Sequence, residues 1–299
     1  TINRKDTNNL FDEVNNLKKK YQYTKIQKLS SSELSTIIDT DLYDGGCLDF
    51  GAGHLNPLKF VQGLGTAAKK NNVQIFEKCC VEKIDYGKKN TISVSNGYTV
   101  VSDYLIIACN GYLGNLEPNI SSRVMPINNF ILTTEVLGNN LLNSFLNNNY
   151  AVADNKFVPN YFRPSPDNRL IFGGGENYTY RFPKDIKTIV RKKMLKVYPQ
   201  LKNTRIDFAW GGTLAVTRNR LPYFAKIQPN VFSASGYSGH GVALSVLAGK
   251  IIAELIEGDS KRFNFMNNIP IKPFPGNSNF QWPLLVLGML WYSLRDRFK

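Results

Sequence analysis

Several common functional signatures are missing from this chain, and each absence narrows what it can be. The four cysteines, Cys47, Cys79, Cys80 and Cys109, form no C-x-x-C pair. Neither a disulfide framework nor a zinc site is expected of them. They read as small buried residues in a reducing compartment, so a cytoplasmic location is expected. Only two histidines, His54 and His240, are present, too few for a multi-histidine metal centre. The longest apolar stretch near the end, Trp282 to Leu290, falls short of the roughly 20 residues a membrane span needs. Acidic residues are scarce: Asp plus Glu number 23 against 37 Lys plus Arg, a net charge of +14. Such a surplus attracts phosphates, acidic lipids, nucleic acid or acidic substrates. The basic residues are scattered, however, and no recognition helix or zinc pattern accompanies them, so nucleic acid is not expected as a partner. A bias toward Lys and Asn accounts for the charge more simply. No signal peptide opens the chain, which starts at Thr1 without a methionine; a chain entered part-way through a gene is expected to look like this.

What is present suits a folded protein. The 299 residues are 42% hydrophobic and 12% aromatic, enough for a sizeable core in one large domain or two moderate ones. Two short helices are expected first, one carrying Leu10, Val14 and Leu17 before Lys18-Lys19-Lys20, the other capped by Ser30 or Ser31 and carrying Leu34, Ile37 and Ile38. A glycine-rich loop from Gly45 to His54 follows. Asn56-Pro57 then starts a helix striped by Leu58, Val61, Leu64 and Ala68, and Val73 to Phe76 begins a strand. Asn96-Gly97, flanked by Thr91 to Ser95 and Tyr98 to Ser102, is a strong hairpin signal because both turn positions take positive φ. The run Asp103 to Cys109 reads as a strand buried on both faces of a parallel sheet. It stops at Asn110-Gly111, and ligands of open α/β sheets sit at such strand ends.

From Pro126 to about Trp210 the pattern changes. Short β-type runs at Asn129 to Val136, Tyr150 to Asp154, Leu170 to Gly173 and Arg205 to Trp210 are interrupted by a helix at Ile186 to Val197. This reads as an antiparallel sheet inserted into an α/β region, an α+β whole. The chain then returns to α/β grammar: a strand at Val231 to Ser235, a loop at Gly236 to Gly241, and an apolar helix at Val242 to Glu257 closed by Gly258. Strand, glycine loop and buried helix form an arrangement for holding an anion or a developing negative charge. The first helical N–H groups lack internal partners and the peptide dipoles add positive potential there. Physics alone leaves open a flavin, a phosphate, or simply tight helix–strand packing that needs small residues.

The runs WGGTLAVTRNRLPYF and NVFSASGYSGHGVALSVLAGKIIAELIEG resemble the C-terminal flavin segment of the D-amino-acid oxidase superfamily, most closely its γ-glutamylputrescine oxidase type. The resemblance extends through GGCLDFGAGHLNPLKFVQGLGTAAKKNNVQIFEKCCVEKI, DYLIIACNGYLG and NYFRPSPDNRLIFGGG, and into QWPLLVLGMLWYSLRDRF. It covers nearly the whole chain in the expected order.

The resemblance implies a partial Rossmann-like FAD-binding domain at 45–125 and 211–258, an antiparallel-sheet substrate domain at 1–44 and 126–210, and a tail at 259–299. Val81 would contact the adenine side of FAD, and Cys109, Asn110 and Gly111 match a turn, usually Ala-Thr-Gly, that lies against the dinucleotide. Gly236, Tyr237, Ser238, Gly239, His240 and Gly241 would line the flavin ring, with Tyr237 and His240 nearest the substrate space. For His240, fixing the loop by hydrogen bonds is favoured over proton transfer, and His54 is expected to shape its own loop. Some relatives attach FAD through a cysteine where this chain has Trp210 to Thr213, so the flavin should be non-covalent. Sarcosine-type relatives place a lysine where this chain has Val242-Ala243-Leu244, which counts against a small α-amino-acid substrate. The family's opening strand, G-x-G-x-x-G turn and helix are not matched by the first residues, so the pyrophosphate cradle is expected to lie outside this chain, a fragment. The implied activity is oxidation of a primary or secondary amine by hydride transfer to flavin N5, with oxygen or a quinone as acceptor. No catalytic acid or base and no metal ligand is assigned. The alternative is a non-catalytic fragment unable to hold FAD alone.

Overall fold

A computed structural model describes residues 1–146, 149–177 and 181–276. The apolar stretch Trp282 to Leu290 and the last motif of the resemblance lie outside the described residues. The first elements are α1 (Arg4–Tyr21), β1 (Ile26–Leu29), α2 (Ser31–Ser35), β2 (Gly46–Asp49), α3 (Pro57–Lys70), β3 (Val81–Asp85), β4 (Asn90–Val94), β5 (Thr99–Ser102) and β6 (Leu105–Ile107). Next come α4 (Pro118–Ser121), β7 (Met125–Thr134), α5 (Asn139–Phe145), β8 (Val152–Ala153), β9 (Tyr161–Pro164), β10 (Leu170–Asn177) and α6 (Ile186–Val197). The last are β11 (Ile206–Val216), β12 (Tyr223–Gln228), β13 (Val231–Ser235), α7 (Gly241–Ile256) and α8 (Lys261–Asn267). The fold is mixed α/β, as the sequence pattern implies. Among the described residues no helix is long and apolar enough to cross a membrane.

Two units are distinguished by their internal packing. One holds Thr1–His54 and Asn128–Gly212; the other holds Leu55–Ile127 and the described part of Thr213–Leu287. The glycine-rich stretch 45–54 therefore packs with the first unit.

In the first unit a five-stranded sheet runs in the order β11-β7-β10-β9-β8. β10 pairs antiparallel with β7 and β9, setting Ile171 opposite Thr133 on one side and Arg163 on the other. One face of this sheet is dry. Phe130, Leu132, Phe162, Leu170 and Phe172 meet Val190, Met194 and Val197 of α6, every one at most 2% exposed. Fully burying each such side chain contributes about 1.5–3 kcal/mol. The Asp185 carboxylate caps α6 by accepting from the Thr188 N–H. The opening helix is longer than its short apolar repeat suggests, 18 residues, because Lys18 to Lys20 suit the negative end of the helix dipole and do not stop it. The Gly45–His54 stretch is not all loop: β2 pairs antiparallel with β1. Gly45, whose Cβ would lie 2.7 Å from Thr7 Cγ2, lets the chain pass α1 closely.

In the second unit β12, β13 and β6 form a sheet with β13 parallel to β6. β3, β4 and β5 form an antiparallel meander. The β4–β5 turn differs from expectation. Gly97 has φ +84 but Asn96 is not in the left-handed region. Bonds from Gly97 N–H to Val94 O and from Val94 N–H to Tyr98 O close a three-residue loop in which the glycine alone takes positive φ. β6 is parallel as expected but is not buried on both faces: Ile106 is 45% exposed at the end of the strand order. Val73 to Phe76 form no strand and are exposed. α3 starts as its residues dictate, with the Asn56 side chain accepting from Lys59 N–H and Pro57 at the first position, yet it buries none of its residues.

Candidate functional site

The site is built where two parallel strands end side by side. β13 carries Val231, Phe232, Ser233, Ala234 and Ser235, all buried. Ser233 Oγ donates to Ile107 O at 2.7 Å, tying β13 to β6. Both strands then turn. After β6 comes Cys109-Asn110-Gly111, and after β13 comes Gly236 to His240 leading into α7. Asn110 has φ +49, a conformation Asn tolerates better than most residues. Its side-chain Oδ1 accepts the Gly236 N–H at 3.0 Å, so one turn is stitched to the other. Gly111 is required for packing: a Cβ would lie 2.9 Å from both Thr213 O and Leu214 O.

The second turn holds an unusual backbone. Gly236, Ser238 and Gly239 have φ of +72, +52 and +95. Ser238, the one non-glycine among them, is fixed three ways: its N–H donates to Ala215 O at 2.9 Å, its Oγ accepts from Thr217 N–H at 3.2 Å, and the hydroxyl donates to Gly236 O at 3.1 Å. Gly236 has no room for a side chain, since a Cβ would sit 2.5 Å from Thr217 Cγ2. Gly239 is the opposite case: a Cβ there would meet nothing within 4 Å, so its backbone faces open space. α7 then begins without any side-chain cap. Its first amides keep their unpaired donors and the positive end of the dipole.

Two residues sit differently from the sequence reading. Tyr237 does not face open space. It is 9% exposed, packs with Phe224, Phe232, Ala248, Ile251 and Ile252, and its hydroxyl donates to Ala234 O at 3.0 Å. Burial pushes that phenol up to about 12. The ring thus supports the turn from the core side. His240 is exposed and its ring makes no hydrogen bond among the described residues; only its backbone N–H does, to Tyr237 O. Cys109 is half-buried, and its thiol is pushed up by burial, with a smaller push from Cys80. Val81, the next residue along, begins β3 opposite Val94.

The first unit, taken by itself, holds a polar cluster that the sequence reading missed in part. On β9, Phe162 and Pro164 point to the dry core while Tyr161 and Arg163 lie on the opposite face, half-buried. Tyr161 donates to Asn129 Oδ1, and Gly173 is needed beneath it because a Cβ would overlap the Tyr161 ring. Burial, with Glu176 adding, pushes the Tyr161 phenol up to about 12. Arg163 NH1 lies 3.2 Å from His54 Nδ1, and His54 Nε2 lies 2.7 Å from Asn149 O. A carbonyl only accepts and a guanidinium only donates. His54 is therefore the neutral tautomer protonated on Nε2, accepting through Nδ1. The histidine ring was expected to shape its own loop; its bonds instead reach Asn149 and an arginine 109 residues away in sequence.

Comparison with known proteins places this geometry. The family model described as FAD dependent oxidoreductase, DAO, matches residues 3–255. The chain belongs to this family. It is 37% identical over 279 residues to gamma-glutamylputrescine oxidoreductase of Escherichia coli K12, covering 93% of the chain and 65% of the relative. It is 38% identical over 279 residues to the probable oxidoreductase OrdL of Rhizobium meliloti, again covering 93% and 65%. The chain thus spans about 65% of the length of these curated relatives. Among solved structures it is similar to glycine oxidase from Geobacillus kaustophilus, with a TM-score of 0.76, 18% identity, and coverage of 90% of this chain and 73% of that one.

The cofactor of the family is FAD, and the strand-end turns fit its flavin end. An uncapped helix start, a bare Gly239 and a stitched pair of turns offer amide donors to an electron-rich ring edge without a side chain in the way. What the arrangement can do chemically is to hold an acceptor rigidly and stabilise negative charge as it develops.

Proposed function

We propose that the protein oxidises a primary or secondary amine with non-covalently bound FAD, as a γ-glutamylputrescine-type enzyme. One observation carries this reading: the Gly236 N–H bonded to Asn110 Oδ1 at 3.0 Å, which joins two strand-end turns directly ahead of the uncapped α7. Gly239, His240 and Gly241 would border the flavin ring, with Gly236 and Ser238 holding the loop and Tyr237 supporting it from the core. Cys109, Asn110, Gly111 and Val81 would lie along the dinucleotide. The chemistry FAD would supply when bound is oxidation of the amine by hydride transfer from the carbon next to nitrogen to its N5; the resulting imine would hydrolyse to an aldehyde or keto product. The chain's own residues position and exclude water; no side chain is assigned to proton transfer. Oxygen or a quinone would be the final electron acceptor. The relative named for γ-glutamylputrescine supports the substrate type, and the missing lysine at Val242 to Leu244 argues against sarcosine.

A screen of γ-glutamylated polyamines and N-methyl amino acids against the protein, extended to the full length of its relatives, tests the assignment. Turnover of γ-glutamylated amines is expected; activity on sarcosine alone would sink it. The second reading, a fragment that cannot hold FAD alone, is favoured by the uncovered helix α3. It predicts that the 299-residue chain shows no yellow flavin absorbance after FAD addition and gel filtration.

A further inference from the structure

The basic residues look scattered in the sequence, but the fold of the first unit gathers six of them on and around α6: Lys184, Lys187, Arg191, Lys192, Lys196 and Lys202. We propose that this basic face of α6 docks onto a bilayer of anionic phospholipid. The helix spends its apolar side on the core, where Val190, Met194 and Val197 are wholly buried. Its other side faces solvent. The five lysines are exposed, and Arg191 is half-buried with its Nη2 donating to Lys202 O at 2.5 Å, which ties the turn behind α6 to the helix. Among the described residues none of the six enters an ion pair. Two carboxylates come near enough to feel Lys187, and both are committed elsewhere: Asp185 to the Thr188 N–H, Asp207 to Arg169 and Arg205. Lys187 with Arg191 and Lys192 with Lys196 stand four residues apart, a spacing at which like charges weaken a helix. The surplus is not neutralised within the unit, and an anionic surface relieves it. Three features favour a bilayer over nucleic acid. Ile186, Val190, Met194 and Val197 all pack on the sheet side, so α6 is held down along its length and offers a broad, low face; a helix that enters a groove must protrude. Five of the six charges are lysines, point charges that suit a fluid array of headgroups better than the fixed geometry that arginine reads. Ile189, in one helical row with Lys192 and Lys196, is 36% exposed, an apolar side chain placed to enter the layer between headgroups. Clusters of about four to eight Lys or Arg on a helix surface are of the size that holds to acidic lipid. On the amine-oxidation reading such contact would bring the chain beside quinone dissolved in the bilayer, but the surface itself does not rest on that reading.

The test sediments the purified 299-residue chain with vesicles of equimolar phosphatidylglycerol and phosphatidylcholine, and with vesicles of phosphatidylcholine alone. Binding to the first and not to the second is expected, and it should be lost when salt is raised to about 0.5 M. Lys192→Gln combined with Lys196→Gln should weaken it by about tenfold or more, since each basic residue near an acidic surface is worth roughly fivefold. Lys18→Gln combined with Lys19→Gln removes the same charge from exposed positions on α1 and should weaken it by less than about threefold. Equal losses in the two pairs overturn the inference, because binding then follows net charge and not this face. Absence of binding to the acidic vesicles, or equal binding to both kinds, also overturns it. So does a short DNA duplex that strips the chain from the vesicles at equal phosphate concentration, which would make nucleic acid the partner. If the α6 pair fails to fold, as read by thermal melt, Lys184→Gln combined with Lys202→Gln, both outside the helix, takes its place with the same expected loss. None of these outcomes bears on flavin reduction by amines in FAD-loaded full-length protein, so the two readings fail separately.

Discussion

The two units treat the apolar stripes of their helices in opposite ways. In the first, α6 presents Val190, Met194 and Val197 to the sheet and all three are 0% exposed. In the second, α3 has an equally legible stripe, yet Leu58 is 63%, Val61 58% and Leu64 46% exposed. The same unit leaves Ile106 of β6 and Val242, Val246 and Leu247 of α7 between 42% and 53% exposed, although its other side has a true core around Phe232, Ile251 and Phe263. Periodicity therefore tells which stripe of a helix is apolar and where the helix begins. It does not tell what covers the stripe. A soluble chain seldom leaves so much apolar surface bare, and such surface marks a place for further protein or a ligand. On the reading proposed above, this is the flavin-binding part, in a chain that spans about 65% of its relatives.

The comparison can be broken most forcefully in the core of the first unit. Phe172 is 0% exposed and stacks on Phe162 at a 5.5 Å ring separation. Phe172→Ala is expected to destabilise by about 3–5 kcal/mol, read by urea unfolding. A loss near zero would mean that this core is as loosely held as α3. The strand-end turn comes next. Gly236→Ala puts a methyl 2.5 Å from Thr217 Cγ2 at φ +72, and strain of this kind costs about 1–3 kcal/mol. It is expected to weaken FAD binding by the full-length protein as well, followed by flavin fluorescence. Unchanged FAD affinity would detach this turn from the cofactor. Asn110→Ala is smaller. It removes one acceptor and leaves the Gly236 N–H unpaired, about 1 kcal/mol net. Asn110→Asp, which keeps the acceptor, should restore most of it; equal losses in both variants would show that the stitch is not what holds the turns.

Local rules made much of this fold readable in the sequence. The Ile186 to Val197 helix, the Val231 to Ser235 strand and the Asn56-Pro57 helix start lie where their residues place them. These are elements whose caps and periodicity are contained within a dozen residues. What escaped was set by partners far away. Gly46 to Asp49 is a strand only because β1 lies beside it. Val73 to Phe76 has strand-like residues but no strand to pair with among those described. The site divides in the same way. Glycines at 236, 239 and 241 announce a turn ahead of a helix. No spacing announces that Asn110 will reach Gly236, 126 residues on, or that His54 will hold Arg163. Tyr237 shows the converse error. Within a loop motif it reads as facing the ligand, whereas its ring is claimed by the core beneath.

The smallest expected effect tests the comparison most sharply. Replacing both Leu58 and Val61 by Gln touches two side chains that are more than half exposed. Gln has nearly the helix propensity of Leu and slightly more than that of Val. In the 299-residue chain the double variant should therefore change unfolding free energy by no more than about 0.5 kcal/mol, while lowering the binding of a hydrophobic dye. The same double variant in a polypeptide extended to the full length of the relatives separates two causes of the exposure. If the added protein covers α3, the pair becomes a core replacement and the loss rises to about 3 kcal/mol or more. If the loss stays near zero there too, the stripe is a bare surface feature and the reading of α3 as an uncovered part of the flavin-binding unit fails. A loss above about 2 kcal/mol in the 299-residue chain itself would mean that α3 is packed in solution, and the contrast between the two units would disappear.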